Sequence, residues 1–186
     1  MRLFVAIEIP EDIRAAFAAL LKDFRGIAPQ TKWVRAENLH VTLKFLGETE
    51  AAKLGAVQNA LGAIRSAQPV KLEFRGLAFF PNDQRPRVFW AGIEASANLK
   101  SLASDIDHAA HCLGFSLEER PFTPHLTLAR FQPPGIAPKL REAIQARSAQ
   151  SCGSLTTHEF LLIESKLKPA GAEYTTVQTV RFAPEA

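Results

Sequence analysis

The chain has 186 residues, of which 47% are hydrophobic and 22% are charged, and its formal net charge is +3. These values exclude an intrinsically disordered chain and allow a sizeable core, while the small charge excess does not by itself require an anionic partner. The two cysteines are too few for a disulfide framework or a cysteine zinc site. No run of the sequence approaches the roughly 20 apolar residues of a membrane span. We therefore expect a cytoplasmic protein.

In the first half of the chain, the hydrophobic pattern predicts strands at residues 3–9, 39–46, 70–80 and 87–93. A helix is predicted after Pro10, where apolar residues recur on one face until Gly26. A second, alanine-rich helix is predicted at residues 51–65. The segment PNDQRP, between the last two of these strands, is rich in turn residues and predicts a hairpin loop.

The second half repeats this order of elements. A helix is predicted at residues 98–113, a strand at 125–131 and a short helix at 138–147. The chain is then predicted to end in a hairpin of residues 155–167 and 174–182 around the turn PAGAE. We therefore expect an α+β fold in which residues 1–186 form a single domain of two similar lobes.

One pattern, His-x-Thr-Leu, occurs twice in the chain, first at His40 and again at His125, 85 residues later. Both copies lie in predicted strands, where side chains alternate between the two faces of a sheet. His and Thr of each copy should therefore share one face, while the flanking apolar residues turn to the core. A single copy would be consistent with an ordinary half-buried strand, but two copies at matching places in the two halves indicate a shared function.

Two imidazoles beside two hydroxyls suit acid–base chemistry on an anion. With an ordinary pKa of about 6.5, one imidazole acts as a base and another as an acid near neutrality. Threonine hydroxyls can donate hydrogen bonds to an anion held between the histidines. A phosphodiester fits this arrangement without a metal, a cofactor or a nucleophilic side chain, so none of these is expected.

The two motifs resemble those of the two-histidine (2H) phosphoesterase superfamily, and more narrowly the bacterial and archaeal RNA 2′,3′-cyclic phosphodiesterases, also called 2′-5′ RNA ligases. The resemblance extends along almost the whole chain. It is carried by RLFVAIEIP, NLHVTLKFLGE after Trp33, PRVFWAGI, PFTPHLTLAR and LIESKLKPAGAEYTTV.

This resemblance implies a bilobal pseudo-twofold fold with two antiparallel sheets that flank a central cleft and helices outside. It also implies metal-independent hydrolysis of an RNA terminal 2′,3′-cyclic phosphate to a 2′-phosphate. By motif order, His40 would be the proton donor to O3′ and His125 the proton acceptor from water. Thr42 and Thr127 would hold the phosphate.

Three further residues are predicted to bind substrate. Arg130 resembles a phosphate contact of the family, but in a straight strand it would face away from His125, so a bulge or a twist is required. Lys44 falls on the face of His40 by the two-residue period, where it would contact phosphate or cap a solvated edge. Phe45, like Trp33 and Phe131, could stack on a base, although large aromatic side chains usually pack in cores.

The partners expected from this interpretation are RNA ends or nucleotides with a 2′,3′-cyclic phosphate, handled by a monomer away from membranes. Two alternatives stay open. In the first, the reverse reaction at the same site would join RNA ends through a 2′-5′ bond. In the second, the protein would be a non-catalytic module that binds RNA ends or nucleotides without turnover. A small cyclic nucleotide also stays open as the substrate, because the histidines contact only the ring phosphate.

Overall fold

The computed structural model describes residues 1–169 and 171–182 as nine strands and four α-helices, with short 3₁₀ turns at Ala36–Asn38 and Ala51–Lys53. In chain order, the elements are β1 Arg2–Glu8, α1 Glu11–Ile27, β2 Lys32–Trp33, β3 His40–Glu48, α2 Leu54–Gly62, β4 Val70–Phe80, β5 Val88–Ala95, α3 Asn98–Cys112, β6 His125–Arg130, α4 Pro138–Gln145, β7 Ser151–Thr157, β8 Glu159–Lys168 and β9 Gly171–Arg181.

The strands form two antiparallel sheets. The first has the order β3-β1-β8-β9 and the second the order β2-β6-β5-β4-β7. Helix α3 packs against β3 of the first sheet and against α2, while α1 packs against β7 of the second sheet and against α4. The predicted α+β class, with two antiparallel sheets and helices outside them, is confirmed.

Helix α1 illustrates how local sequence fixes these elements. Pro10 cannot continue β1 as a hydrogen-bonded strand residue, and it precedes Glu11 and Asp12, whose charges suit the positive end of a helix. Apolar residues then recur every three or four positions, which places them on one buried face. That face consists of Ile13, Phe17, Leu20, Leu21 and Phe24.

The final predicted hairpin is wrong in one respect. Residues 155–167 are not one strand, because the chain changes sheets at His158 between β7 and β8. Strand β7 pairs with β4 in the second sheet, whereas β8 pairs with β1 and β9 in the first. The segment thus joins the two sheets, and the pairing of β8 with β9 is as predicted. Ala170, within the predicted PAGAE turn, lies outside the described residues.

Two smaller differences concern short segments. The predicted helix at residues 51–65 begins as a 3₁₀ turn and continues as the shorter α2. The two-residue strand β2 was not predicted, and it extends the second sheet beside Arg130 and Ala129. Across residues 1–169 and 171–182, no helix combines the length and apolarity that crossing a bilayer requires.

Candidate active site

The two motif strands meet where the two sheets adjoin. Strand β3 forms the edge of the first sheet, β6 lies one strand in from the edge of the second, and the two strands contact each other. His40 is the first residue of β3 and His125 the first of β6. The topology therefore brings together two motifs that lie 85 residues apart in sequence.

The alternation predicted for both motifs is confirmed. Val41 and Leu43 are buried, as are Leu126 and Leu128, at 0–6% exposure. The histidine and threonine of each motif are half-buried. We call the side of β3 and β6 that carries His40, Thr42, His125 and Thr127 the histidine face.

Both imidazoles are held by the same local hydrogen bond. The Nδ1 of His40 lies 2.7 Å from the carbonyl oxygen of Asn38, and the Nδ1 of His125 lies 2.8 Å from that of Thr123. A carbonyl oxygen only accepts, so each Nδ1 carries the hydrogen and donates it. In the neutral ring, Nε2 therefore carries the lone pair. Each histidine can accept or return a proton at Nε2 without losing this bond.

His40 is enclosed by aromatic rings. Its centroid lies 4.7 Å from that of Phe4 and 5.2 Å from that of Tyr174, which meets it edge to face. Phe4 belongs to a small apolar cluster on this side of the first sheet, together with Ala6, Leu161 and Ile163. Burial lowers the pKa of His40, and the hydrogen bond to Asn38 opposes this effect without cancelling it. The free protein therefore favours neutral His40 near pH 7.

His125 has its own aromatic neighbours from the second sheet. Phe80 meets it edge to face at 5.2 Å between ring centroids, and Trp90 lies at 6.0 Å. Phe80 and Trp90 stack on each other at 4.7 Å. The two histidines thus have a similar support, each with a carbonyl behind Nδ1 and two aromatic rings beside the imidazole.

Each motif strand contains a bulge immediately after its threonine. In β3, Thr42 pairs with Ala6 and Lys44 with Val5, so Leu43 is the extra residue. In β6, Thr127 pairs with Trp90 and Ala129 with Phe89, so Leu128 is the extra residue. An extra residue reverses the facing of every side chain beyond it.

The bulges decide where the three other predicted site residues point. Arg130 is exposed and lies two positions beyond the extra residue of its bulge. Its side chain therefore lies on the histidine face, and the bulge is the one that this position was predicted to require. Phe45 occupies the matching position in β3 and is 60% exposed, with its ring 6.2 Å from Phe4. Their contact with substrate stays a prediction.

The predicted position of Lys44 is wrong. The bulge turns its side chain away from the histidine face, and Lys44 is only 6% exposed. Its Nζ lies 2.5 Å from a carboxylate oxygen of Asp107 on α3 and donates to the carbonyl of Ser116 at 2.6 Å. Burial opposes the charge of Asp107, but hydrogen bonds from Lys44 and from the backbone N–H of Glu118 outweigh it and lower the pKa of Asp107. Lys44 thus ties β3 to the loop that leads to His125.

The two other aromatic candidates pack in the core. Phe131 is 6% exposed. Trp33 stacks on Phe24 at 6.3 Å and donates its indole hydrogen to the carbonyl of Ala28 at 2.9 Å. The aromatic side chains that do touch the histidines were not identified from the sequence. They are Phe4, Phe80, Trp90 and Tyr174, whose strands β1, β4, β5 and β9 lack the His-x-Thr signal.

The chemistry available on the histidine face is acid–base chemistry at two Nε2 atoms, beside two hydroxyls and one guanidinium. Within residues 1–169 and 171–182, no three His, Cys, Asp or Glu side chains cluster as metal ligands would. A bound anion would find hydrogen-bond donors from both sheets.

Comparison with known proteins agrees with this geometry. Residues 7–90 and 93–174 match the family model described as LigT like Phosphoesterase, and each of the two matches contains one motif. A protein of Archaeoglobus fulgidus named RNA 2′,3′-cyclic phosphodiesterase is 35% identical over 174 residues, which are 94% of this chain and 96% of that protein.

Solved structures share the fold over nearly the full length. The crystal structure of TT0787 of Thermus thermophilus superposes with a TM-score of 0.76 and 30% identity, covering 98% of both chains. LigT of E. coli, in its complex with 3′-AMP, gives a TM-score of 0.76 and 28% identity over 97% of this chain and 96% of that one. The family match, the relative and the shared fold agree: the chain belongs to the LigT-like phosphoesterases.

Proposed function

We propose that this protein hydrolyses the 2′,3′-cyclic phosphate at the end of an RNA to a 2′-phosphate, without a metal ion. The observation that carries the proposal is the pair of imidazoles on the histidine face, each anchored at Nδ1, with no hydrogen-bond partner at Nε2 within residues 1–169 and 171–182. The name of the Archaeoglobus fulgidus relative, RNA 2′,3′-cyclic phosphodiesterase, supports the same reaction.

The reaction needs one base and one acid. In our proposal, Nε2 of His125 takes a proton from water as its oxygen attacks phosphorus. The bond from phosphorus to O3′ breaks, and Nε2 of His40 gives its proton to O3′. The product is a 2′-phosphate with a free 3′-hydroxyl, and the proton taken up by His125 balances the one released by His40.

Thr42, Thr127 and Arg130 would hold the phosphate during this step. Hydroxyl and guanidinium hydrogens suit non-bridging oxygens, whose negative charge grows as water attacks. Phe45 is exposed beside Phe4 and would stack on the terminal base. Such stacking does not select one base, because every base has a flat face. All these residues belong to one chain, so we propose that it works as a monomer, in the cytoplasm where RNA ends are available.

The proposal is tested by incubating a short RNA that ends in a 2′,3′-cyclic phosphate with the protein in EDTA. We expect complete conversion to the 2′-phosphate, resolved by chromatography against 2′- and 3′-phosphate standards. A panel that runs from 2′,3′-cyclic AMP to a tRNA fragment would rank the substrates. Tight binding of the cyclic-phosphate RNA without turnover would contradict the proposal and favour a binding module.

The donor role of His40 requires that it gain its proton when substrate arrives, because burial lowers its pKa in the free protein. A phosphate anion beside the ring favours the imidazolium and raises its pKa. An NMR titration should therefore show His40 half-protonated below about pH 6.5 in the free protein and at a higher pH with 2′-AMP bound. The exposed His108 on α3 serves as the control, since adding 2′-AMP should leave its resonances unchanged. Binding of 2′-AMP without an upward change at His40 would contradict the donor role.

A further inference from the structure

Tyr174 on β9 is the only tyrosine in the chain and lies against the candidate active site. Its ring meets His40 at 5.2 Å and an interplanar angle of 81°, and it meets Phe4 at 5.1 Å and 69°. Its strand lies two strands away from β1, so the side chain reaches across the histidine face.

Among residues 1–169 and 171–182, no backbone or side-chain group forms a hydrogen bond with the hydroxyl of Tyr174. Burial raises the pKa of Tyr174, so its oxygen keeps its hydrogen near neutrality and can act as a donor. A half-buried phenol of this kind usually forms a hydrogen bond, and here its hydrogen is available to a bound ligand.

The second motif also influences Tyr174, through the charge of its arginine. The positive charges of Arg130 on β6 and of Arg2 on β1 act on the phenol, which places it in a positive environment. Arg130 comes to the histidine face because of the bulge after Thr127. Tyr174 therefore contacts the imidazole of one motif and is influenced by the positive charge of the other, two groups that would both attract an anion.

We propose that the Tyr174 hydroxyl donates a hydrogen bond to the phosphate group bound between His40 and Arg130, which makes Tyr174 a substrate-contacting residue of this site. The inference rests on the proposed function, since it assigns a further contact to the same phosphate. Its ring contacts His40 separately from the hydroxyl, at 5.2 Å between ring centroids.

The substitution Tyr174→Phe separates the hydroxyl from the ring, because it removes one oxygen and keeps the packing on His40 and Phe4. Because the hydroxyl would donate to a charged group, its removal should lower kcat/KM roughly tenfold or more. The matched control is Thr175→Val, which also removes one hydroxyl, from an exposed neighbour on β9. We expect the control to keep the wild-type rate.

A direct readout uses the protein labelled with 3-fluorotyrosine, which gives one fluorine resonance from one residue. Adding 2′-AMP should shift this resonance, and calorimetry should show weaker binding of 2′-AMP to Tyr174→Phe than to the wild type. A Tyr174 that only packs against His40 would leave the affinity of the Phe variant unchanged.

The outcomes separate this inference from the proposed function. Turnover of the cyclic phosphate by the wild type, with equal kcat/KM and equal 2′-AMP affinity in Tyr174→Phe, would overturn the role of Tyr174 alone. A wild type that neither opens the cyclic phosphate nor binds 2′-AMP would overturn both. Loss of rate and affinity in the Phe variant, with Thr175→Val unchanged, would support the inference.

Discussion

Replacing either motif histidine by alanine should reduce the rate of cyclic phosphate opening by at least about 10²-fold. Each substitution removes the only group in its motif that exchanges a proton near neutral pH, while the second imidazole, the threonines and Arg130 stay in place. The measurement is kcat/KM for RNA ending in a 2′,3′-cyclic phosphate, in EDTA, for His40→Ala and His125→Ala. Circular dichroism of each variant shows whether its fold is retained.

The control for both variants is His108→Ala. His108 is exposed on α3, and its Nδ1 lies 2.7 Å from the backbone carbonyl of Ser104 in the same helix. Its replacement should leave kcat/KM unchanged. A His40 or His125 variant with the rate of the wild type would contradict the acid–base account, whatever the other variant does.

The second large effect concerns stability. Lys44→Met should lower the free energy of unfolding by about 3 kcal/mol, because removing one partner of a buried ion pair leaves the other charge without compensation. The side chains of Lys44 and Asp107 are 5% and 16% exposed. The Ser116 carbonyl loses its donor as well, which loosens the loop before His125. Urea unfolding at pH 7 measures the difference.

An exposed ion pair provides the matched comparison. Lys168 on β8 and Glu173 on β9 lie 2.6 Å apart, and their side chains are 54% and 55% exposed. Lys168→Met should change the free energy of unfolding by less than about 1 kcal/mol. A Lys44→Met protein with unchanged stability and a large loss of substrate affinity would instead favour the original prediction that Lys44 binds phosphate.

The sequence was sufficient for the central part of the site. Strand alternation places the histidine and threonine of each motif on one face, because the burial of Val41, Leu43, Leu126 and Leu128 can be read from their types and spacing. The hydrophobic pattern also predicts most strands and helices, because apolar residues recur in them at regular spacing over many positions. The resemblance to a known family supplied the pairing of the two motifs across the sheets.

Other features depend on neighbours that are distant in sequence. The bulges after Thr42 and Thr127 are set by pairing with β1 and β5, so a count along one strand places Lys44 on the wrong side. The change of sheets at His158 depends on where β8 finds β1. The rings around the histidines come from four separate strands, which no local pattern connects.

The claim that both motifs serve one reaction is tested most directly by the double variant His40→Ala/His125→Ala. Groups that act together on one step are strongly non-additive, so the loss in kcat/KM should be little larger than that of the more damaging single variant. The measurement is kcat/KM of the wild type, both single variants and the double variant on one cyclic-phosphate RNA. Losses that multiply, as for two independent sites, would contradict a single site built from the two halves of the chain.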